Sequence, residues 1–475
     1  MNLNVFISMR FELILLVITL LLVVIDLVIA PAKKNVLVHV AILLFGAHTL
    51  IGFLPIQEAR LFGGMFKSTS LIVLFKNILN VGVFIILLQS ANWIKTELIT
   101  KGRGAEFFIL LFFSLLGMYF MLSSGDFLMF YLGLELSTLP VAALVAFDLA
   151  KRSSSEAGIK FILSAALASA IALFGISLIY ATGSSIYFSE VATHIAVSNL
   201  SILGLVLFIA GLAFKISLAP FHFWTADVYE GAPIGVASYL SVISKGAAVF
   251  ILLIVLYTVF MPFIEVWQNL MYILAVATMF IGNLFALRQQ NMKRFLAFSS
   301  IAQAGFILLG LFTGTQIGTA TVIYFVLIYV FSNLAAFGVV QAISSHTGKE
   351  NMNDYNGLYR SNPKLSLVMM LALFSLAGIP PVAGFFGKFF LFTAAAGMGY
   401  YMLVFIAVVN VTISLYYYLL VIRAMFLHKS ETPIPFFKND WYMKLGLIIT
   451  VIGILVLGVY SPLFDYIYNL SATLK

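Results

Sequence analysis

GLAFKISLAPFHFW, residues 211–224, places Lys215 five residues before Pro220 inside an otherwise apolar stretch. AGIPPVAGFFGKFF, residues 377–390, reverses the order, with Pro380 and Pro381 ahead of Lys388. Proline supplies no backbone N–H and clashes with the preceding turn, so each stretch reads as a helix broken part-way along. Both breaks fall in runs long enough to cross a membrane. A charge near the bilayer centre costs at least about 2.5–3.5 kcal/mol on insertion scales, so a chain that keeps such charges uses them. Interrupted helices beside a buried charge are where ion-handling membrane proteins build their sites.

The rest of the chain fits that frame. Of its 475 residues 63% are hydrophobic and 9% charged, with a mean hydropathy of +1.10, which is too few charges to clothe a soluble protein of this size. No cysteine is present, which excludes thiolate-held iron–sulfur clusters and disulfides on this chain. Neither a Gly-x-Gly-x-x-Gly fingerprint nor a Walker sequence occurs, so no cofactor-binding residues are expected, and no metal ligands. The net charge of +8 is explained by positive loops at one membrane face, not by nucleic acid. Residues 11–30 read as a first transmembrane helix and not a signal peptide, because the run is long, contains Asp26 and is followed by many more spans.

Apolar segments of about 20 residues recur at 11–30, 36–54, 69–90, 106–123, 127–148, 157–181, 200–219, 234–260, 266–287, 294–313, 317–343, 364–398, 401–427 and 444–462. The expected fold is all-α, a polytopic membrane protein of about 14 transmembrane helices with helices 7 and 12 discontinuous. The odd-numbered loops carry most of the lysine and arginine, including Lys33, Lys34, Lys101, Arg103, Lys151, Arg152, Arg288, Lys349 and Lys429. The even-numbered loops 182–199, 313–316 and 399–400 carry none, and the second loop, with Arg60 and Lys67, is the exception. Odd loops are therefore expected in the cytoplasm and both termini on the other side. Helices 7 and 12 lie five spans apart and so run in opposite directions, as in an inverted repeat. The expected organisation is one membrane domain: helices 1–3 in residues 1–103, five-helix repeats in 104–262 and 263–428, and a last helix in 429–475.

Five lysines lie within apolar runs: Lys76, Lys160, Lys215, Lys245 and Lys388. Glu135, in FLMFYLGLELSTLP, sits about eight residues or ~12 Å into the fifth span, a depth at which a titratable acid is more than helix-to-helix glue. Lys215 is expected against the carbonyls freed by Pro220, with Glu135 as its carboxylate partner. Capping of its own helix is the competing reading. Lys245, in SYLSVISKGAAVFILL, is again near the midplane, and Gly246 and Ala247 beside it would let a helix or water approach. Lys388 is expected in the first turn of a half-helix, at its positive end. The two broken helices would then present lysines of opposite bias and give a proton a direction.

Lys160 lies shallow in the sixth span, where snorkelling to the surface competes with a role in the relay. Lys76 is read as a shallow lysine of the same kind without a broken helix nearby. His222 either relays protons or is satisfied by a freed carbonyl. Asp26, Asp126 and Asp148 read as interfacial, and Ser217, Thr225, Tyr239, Ser241 and Ser244 as residues able to hold water.

PFHFWTADVYEGAP (220–233) closely resembles the seventh-helix motif of the subunit N family of NADH–quinone oxidoreductase, the respiratory complex I. EAGIKFIL (156–163), KRFLAFSSIAQAGFILLG (293–310) and LAGIPPVAGFFGKF (376–389) fit the same family in the same order. The resemblance runs from the fourth span to the thirteenth. The related L and M subunits and the cation/proton antiporters share the Pro-Phe-His-x-Trp part but continue differently after Asp227, and the lack of a long extra C-terminal helix also points away from L. The resemblance implies proton pumping, driven by electron transfer from NADH to a quinone elsewhere in a complex of the cell inner membrane. It maps the pumping residues onto Glu135, Lys215, Lys245 and Lys388, with Lys160 and His222 contributing. It also implies peripheral and membrane partner subunits that carry flavin, iron–sulfur clusters and the NADH and quinone sites. Two positions depart from the family pattern. Ala226 replaces a frequent proline, so the second half of helix 7 should be more regular, and Gln303 replaces a frequent histidine, so a relay there would pass through water. A free-standing cation/proton antiporter and a structural scaffold or quinone anchor are the other readings.

Overall fold

The computed structural model describes residues 7–30, 33–56 and 58–474. Each apolar segment read from the sequence coincides with a helix or a broken pair: α1 Arg10–Val28, α2 Val36–Gly52, α3 Ser70–Trp93, α4 Gly104–Leu122, α5 Phe127–Val145, α6 Arg152–Gly183 and α7 Asn199–Ile216 with Phe223–Gly231. Then come α8 Ile234–Thr258, α9 Ile264–Ala286, α10 Met292–Leu311, α11 Gln316–Thr347, α12 Pro363–Ala377 with Ala383–Gly397, α13 Tyr401–Phe426 and α14 Trp441–Val459. Among the described residues 12 helices are long and apolar enough to cross a membrane, while α2 and the halves of α12 are apolar but shorter. The polytopic all-α architecture is as expected. α6 and α11, at 32 residues each, run past their apolar cores because the flanking polar residues keep helical backbone.

Three small elements were not legible beforehand. The second loop, the one that broke the charge alternation, forms a hairpin of β1 Ala59–Leu61 and β2 Phe66–Ser68, with Arg60 opposite Lys67. A short helix Phe188–His194 follows α6, and an amphipathic helix Pro462–Ser471 follows α14.

α8 is the axis of the bundle: every residue from Lys245 to Tyr257 is buried. It is packed among α3, α7 and α11, while α1, α6 and α13 present most of their apolar surface outward. That exposed apolar surface is what a bilayer covers. α4 and α5 approach closely because Gly117 lacks a side chain, since a Cβ there would lie 2.3 Å from the Ser137 nitrogen. This contact brings Ser114 within reach of the Ser137 carbonyl.

Candidate proton-relay site

The first half of α7 ends at Ile216, with Ser217 in the left-handed region at φ 68°. Trp224, the second residue of the second half, donates its indole N–H to the Phe214 carbonyl at 3.1 Å, and the Leu218 N–H donates to the Ala213 carbonyl at 2.8 Å. The carbonyls freed by the break are thus partly taken by other groups. Lys215, buried, crosses to α5 instead. Its ammonium donates to the Ser137 hydroxyl, to Thr138 Oγ1 at 3.0 Å and to the Leu134 carbonyl at 3.5 Å. Glu135, expected as its carboxylate partner, makes no direct ion pair with it; the hydrogen-bond partners are two hydroxyls and a carbonyl. Glu135 is half-buried on the same turn of α5, and its Oε1 is buried without a hydrogen-bond partner. A buried acceptor left unpaired costs about 1–3 kcal/mol.

Lys245 follows a π-turn, Leu240–Ser244, within α8. Such turns widen a helix locally and occur mostly at functional positions. The ammonium donates to Ser300 on α10, to its carbonyl and its hydroxyl, both at 2.9 Å. Gly246 does not admit a close neighbour, since a Cβ there would meet nothing nearer than Val326 at 3.4 Å.

Lys388 corrects the sequence reading most sharply. It occupies the second turn of Ala383–Gly397, not the first, and its ammonium donates backwards to Leu376 O at 2.8 Å and Ala377 O at 3.1 Å. These are the last carbonyls of the preceding half-helix, the negative end of its dipole. Lys388 thus caps a helix C-terminus, and Lys215 leaves its own, which reverses the predicted arrangement. Gly384 allows the two halves to meet, because a Cβ there would sit 1.7 Å from the Ser375 carbonyl.

Two separate stretches of hydrogen bonds lie between these lysines. On the α7 side, Tyr239 donates to the Ser114 hydroxyl at 3.0 Å, and Ser114 donates to the Ser137 carbonyl at 2.9 Å. On the α12 side, Ser299, next to the Ser300 that holds Lys245, pairs with the Tyr418 hydroxyl at 2.5 Å. Gln303 donates both to Tyr418 at 3.2 Å and to Leu376 O at 3.0 Å, the carbonyl that Lys388 also holds. The glutamine cannot titrate, but it ties α10 to the break in α12. Ser241 links Tyr329 and Asn333 at 3.0 Å each, midway along α8.

The remaining candidates separate from this axis. Lys160 is 43% exposed and pairs with Glu156 at 2.8 Å and Asp227 at 2.6 Å. Asp227 also takes Arg294 at 2.7 Å, and Arg294 takes Glu230 at 2.8 Å. Lys160 therefore belongs to an ion-pair network that joins α6, the second half of α7 and α10 beside a groove of about 440 Å³. His222 sits at the N-cap position of the second half of α7 without a side-chain capping bond and stacks on Phe223, with ring centroids 4.5 Å apart; its Nδ1 has no partner, so it is not held by a freed carbonyl there. The Phe223–Gly231 half is a regular helix around Ala226, as expected. Asp26 and Asp148 pair with Lys34 and Lys151, but Asp126 is fully buried and caps α5 by accepting from the Met129 N–H. Lys76 is shallow, as read, but does not snorkel: it is 1% exposed and paired with Glu12 at 2.5 Å.

Sequence reasoning passed over Ser137, Thr138, Ser299, Ser300, Tyr418 and Arg294. The signal that could have found Ser300 is its i, i+3 spacing from Gln303, which puts the two on one face of α10.

A family model described as NADH:quinone oxidoreductase/Mrp antiporter, TM, matches residues 124–414. The NADH-quinone oxidoreductase subunit N of Phocaeicola vulgatus is 50% identical over 466 residues, covering 98% of both chains. That of Azobacteroides pseudotrichonymphae is 47% identical over 475 residues, covering 99% of each. A chain of respiratory complex I from Thermus thermophilus, in a structure with bound aureothin, aligns with a TM-score of 0.79 at 29% identity, over 95% of this chain and 98% of that one. A chain of the Mrp complex from Dietzia sp. shares the fold, with a TM-score of 0.87 at 20% identity over 100% and 98% of the two chains. By the extent and identity of these matches, the chain belongs to the subunit N family of NADH-quinone oxidoreductase.

Proposed function

We propose that this chain is a proton-translocating membrane subunit of an NADH:quinone oxidoreductase of the cell inner membrane, moving protons while electrons pass from NADH to a quinone elsewhere in the complex. The observation that carries this reading is the placement of three buried lysines, Lys215, Lys245 and Lys388, on α7, α8 and α12, each held by hydroxyls or carbonyls. A lysine held by neutral acceptors can give up its proton without leaving an unpaired carboxylate behind. Glu135, with a free carboxylate oxygen on the same turn of helix as the Lys215 partners, biases the charge on Lys215. Lys245 and Lys388 share the Ser299–Tyr418–Gln303 stretch, along which water and hydroxyls pass a proton. Lys160 and His222 act beside this axis, Lys160 through its bridge to Asp227. The chain itself supplies no redox centre in this reading; NADH, flavin, iron–sulfur clusters and quinone belong to partner subunits.

The same reading divides the membrane domain into helices 1–3 (residues 1–103), inverted five-helix repeats (104–262 and 263–428) and helix 14 (429–475), making fourteen crossings with both termini outside the cytoplasm. The broken helices α7 and α12 take equivalent places in the two repeats. Isolation of the chain from a membrane in mild detergent tests the assignment. Peripheral subunits carrying flavin and iron–sulfur clusters should accompany it. A chain that purifies alone and exchanges cations for protons would instead be a free-standing antiporter.

A further inference from the structure

Outside the axis just described, the structure holds a second buried ion pair, Glu12 with Lys76, at 2.5 Å and with 2% and 1% exposure. Around it lie His48 of α2, Asn77 and Asn80 of α3 and Tyr119 of α4, all buried. His48 Nε2 is 3.2 Å from the Tyr119 hydroxyl, which also bonds Asn80, and the Asn77 amide donates to the Gly52 carbonyl at 3.0 Å. Five polar atoms of this cluster are nonetheless buried without a protein partner: Glu12 Oε2, His48 Nδ1, Asn77 Oδ1, Asn80 Nδ2 and Arg10 Nε. A pair that served only to pin helices would gain nothing from such neighbours, because each unpaired group costs about 1–3 kcal/mol. Polar atoms gathered at this density are what small water-holding sites are made of.

Position gives the site a direction. Glu12 is the third residue of α1, Lys76 the seventh of α3, and His48 and Tyr119 lie within five residues of the ends of α2 and α4. At 1.5 Å per residue Glu12, Lys76, His48 and Tyr119 are within roughly 10 Å of one membrane face, the face on which α1 begins, and Asn80, the eleventh residue of α3, lies ~15 Å in. Arg10 closes it there, donating to the carbonyls of Gly52, Leu54 and Pro55 at 2.8, 2.5 and 3.2 Å at a partly exposed rim. On the inner side, Tyr119 shares α4 with Ser114. Ser114 receives the Tyr239 hydroxyl and donates to the carbonyl of Ser137, whose side chain holds Lys215. Tyr119 is about 7.5 Å along α4 from Ser114.

We propose that Glu12 and Lys76 form a proton-release site at the end of the Lys215 branch, opening to the membrane face on which α1 begins. This rests on the reading of Lys215 as a proton carrier. A proton given up by the Lys215 ammonium reaches the Glu12 carboxylate, which becomes a neutral carboxylic acid and loosens its pair with Lys76. The fixed charge of Lys76 then favours loss of that proton to water at the Arg10 rim, and the carboxylate and the pair re-form. One proton enters, one leaves, and no electrons move.

The test uses the whole complex in proteoliposomes and reads protons moved per NADH oxidised. The double variant Glu12→Gln/Lys76→Gln removes both charges together and so leaves no uncompensated ion. It should assemble and oxidise NADH, with its proton yield reduced to that of Lys215→Ala. Adding Lys215→Ala to it should lower the yield no further, since both changes block one route. Tyr119→Phe, which keeps the ring and removes only the hydroxyl, serves if the double variant does not assemble, and should lower the yield in the same direction. Full yield in either assembled variant, beside a reduced yield in Lys215→Ala, overturns the release site alone. Full yield in Lys215→Ala removes the reading on which it stands.

Discussion

The Lys388 ammonium lies 2.8 Å from the carbonyl oxygen of Leu376, twelve residues earlier and on the other side of the break in α12. Its Nζ also lies over the face of Phe306, 4.7 Å from the ring centroid. The positive group therefore completes the C-terminus of Pro363–Ala377, the negative end of a half-helix dipole. A carboxylate placed there would face two carbonyl oxygens. Lys388→Glu should lose pumping as completely as Lys388→Met, although it keeps a titratable group. Lys388→Arg should keep the cap and the assembled complex but pump poorly, because arginine holds its proton too tightly. Proton yield per NADH in the three assembled variants checks this, and substantial pumping by Lys388→Glu would contradict the geometry.

Lys215 is held by Ser137 and Thr138, not by a carboxylate. Removing both hydroxyls in Ser137→Ala/Thr138→Val strips the ammonium of two charge-assisted hydrogen bonds, each worth about 1.5–3 kcal/mol. The charged form should become much harder to sustain. Pumping should drop several-fold while the complex still assembles and oxidises NADH, and an unchanged proton yield would show that these hydroxyls do not set the state of Lys215.

Orientation can be read chemically, since the native chain has no cysteine to confuse the result. Ser184, exposed at the end of α6, and Arg152, exposed at its start, mark opposite membrane faces. Ser184→Cys should react with an impermeant thiol reagent added outside intact cells, and Arg152→Cys should not. The reverse pattern would invert the topology and the face assigned to every loop.

The helices and the two breaks could be read in the sequence because apolar length and proline placement act locally. Depth along a helix follows from counting residues, so the lysines within the membrane were also visible. Where an ammonium ends depends on the direction of the side chain and on the neighbouring helix. Side chains on an α-helix point toward its N-terminus. A lysine in the second turn of a half-helix therefore reaches back past the start of that half, and this is why Lys388 caps its predecessor. Lys215 reaches α5 because its side chain likewise leans toward the N-terminus of its own half-helix, away from the freed carbonyls, and Ser137 and Thr138 offer two hydroxyls on one turn. The partner of Lys76 is Glu12, 64 residues away, a contact no local pattern encodes. Asp227 was singled out only as part of a family motif; its role as a bridge between Lys160 and Arg294 appears once α6, α7 and α10 are packed together.

The central claim is that protons pass through Lys215. Complexes carrying Lys215→Ala, reconstituted in proteoliposomes and driven by NADH, measure it most directly as protons moved per NADH oxidised, with subunit content checked in parallel. The account predicts an assembled complex that oxidises NADH with a clearly reduced proton yield, and only a partial recovery in Lys215→Arg. A Lys215→Ala complex that pumps at the native yield would contradict it.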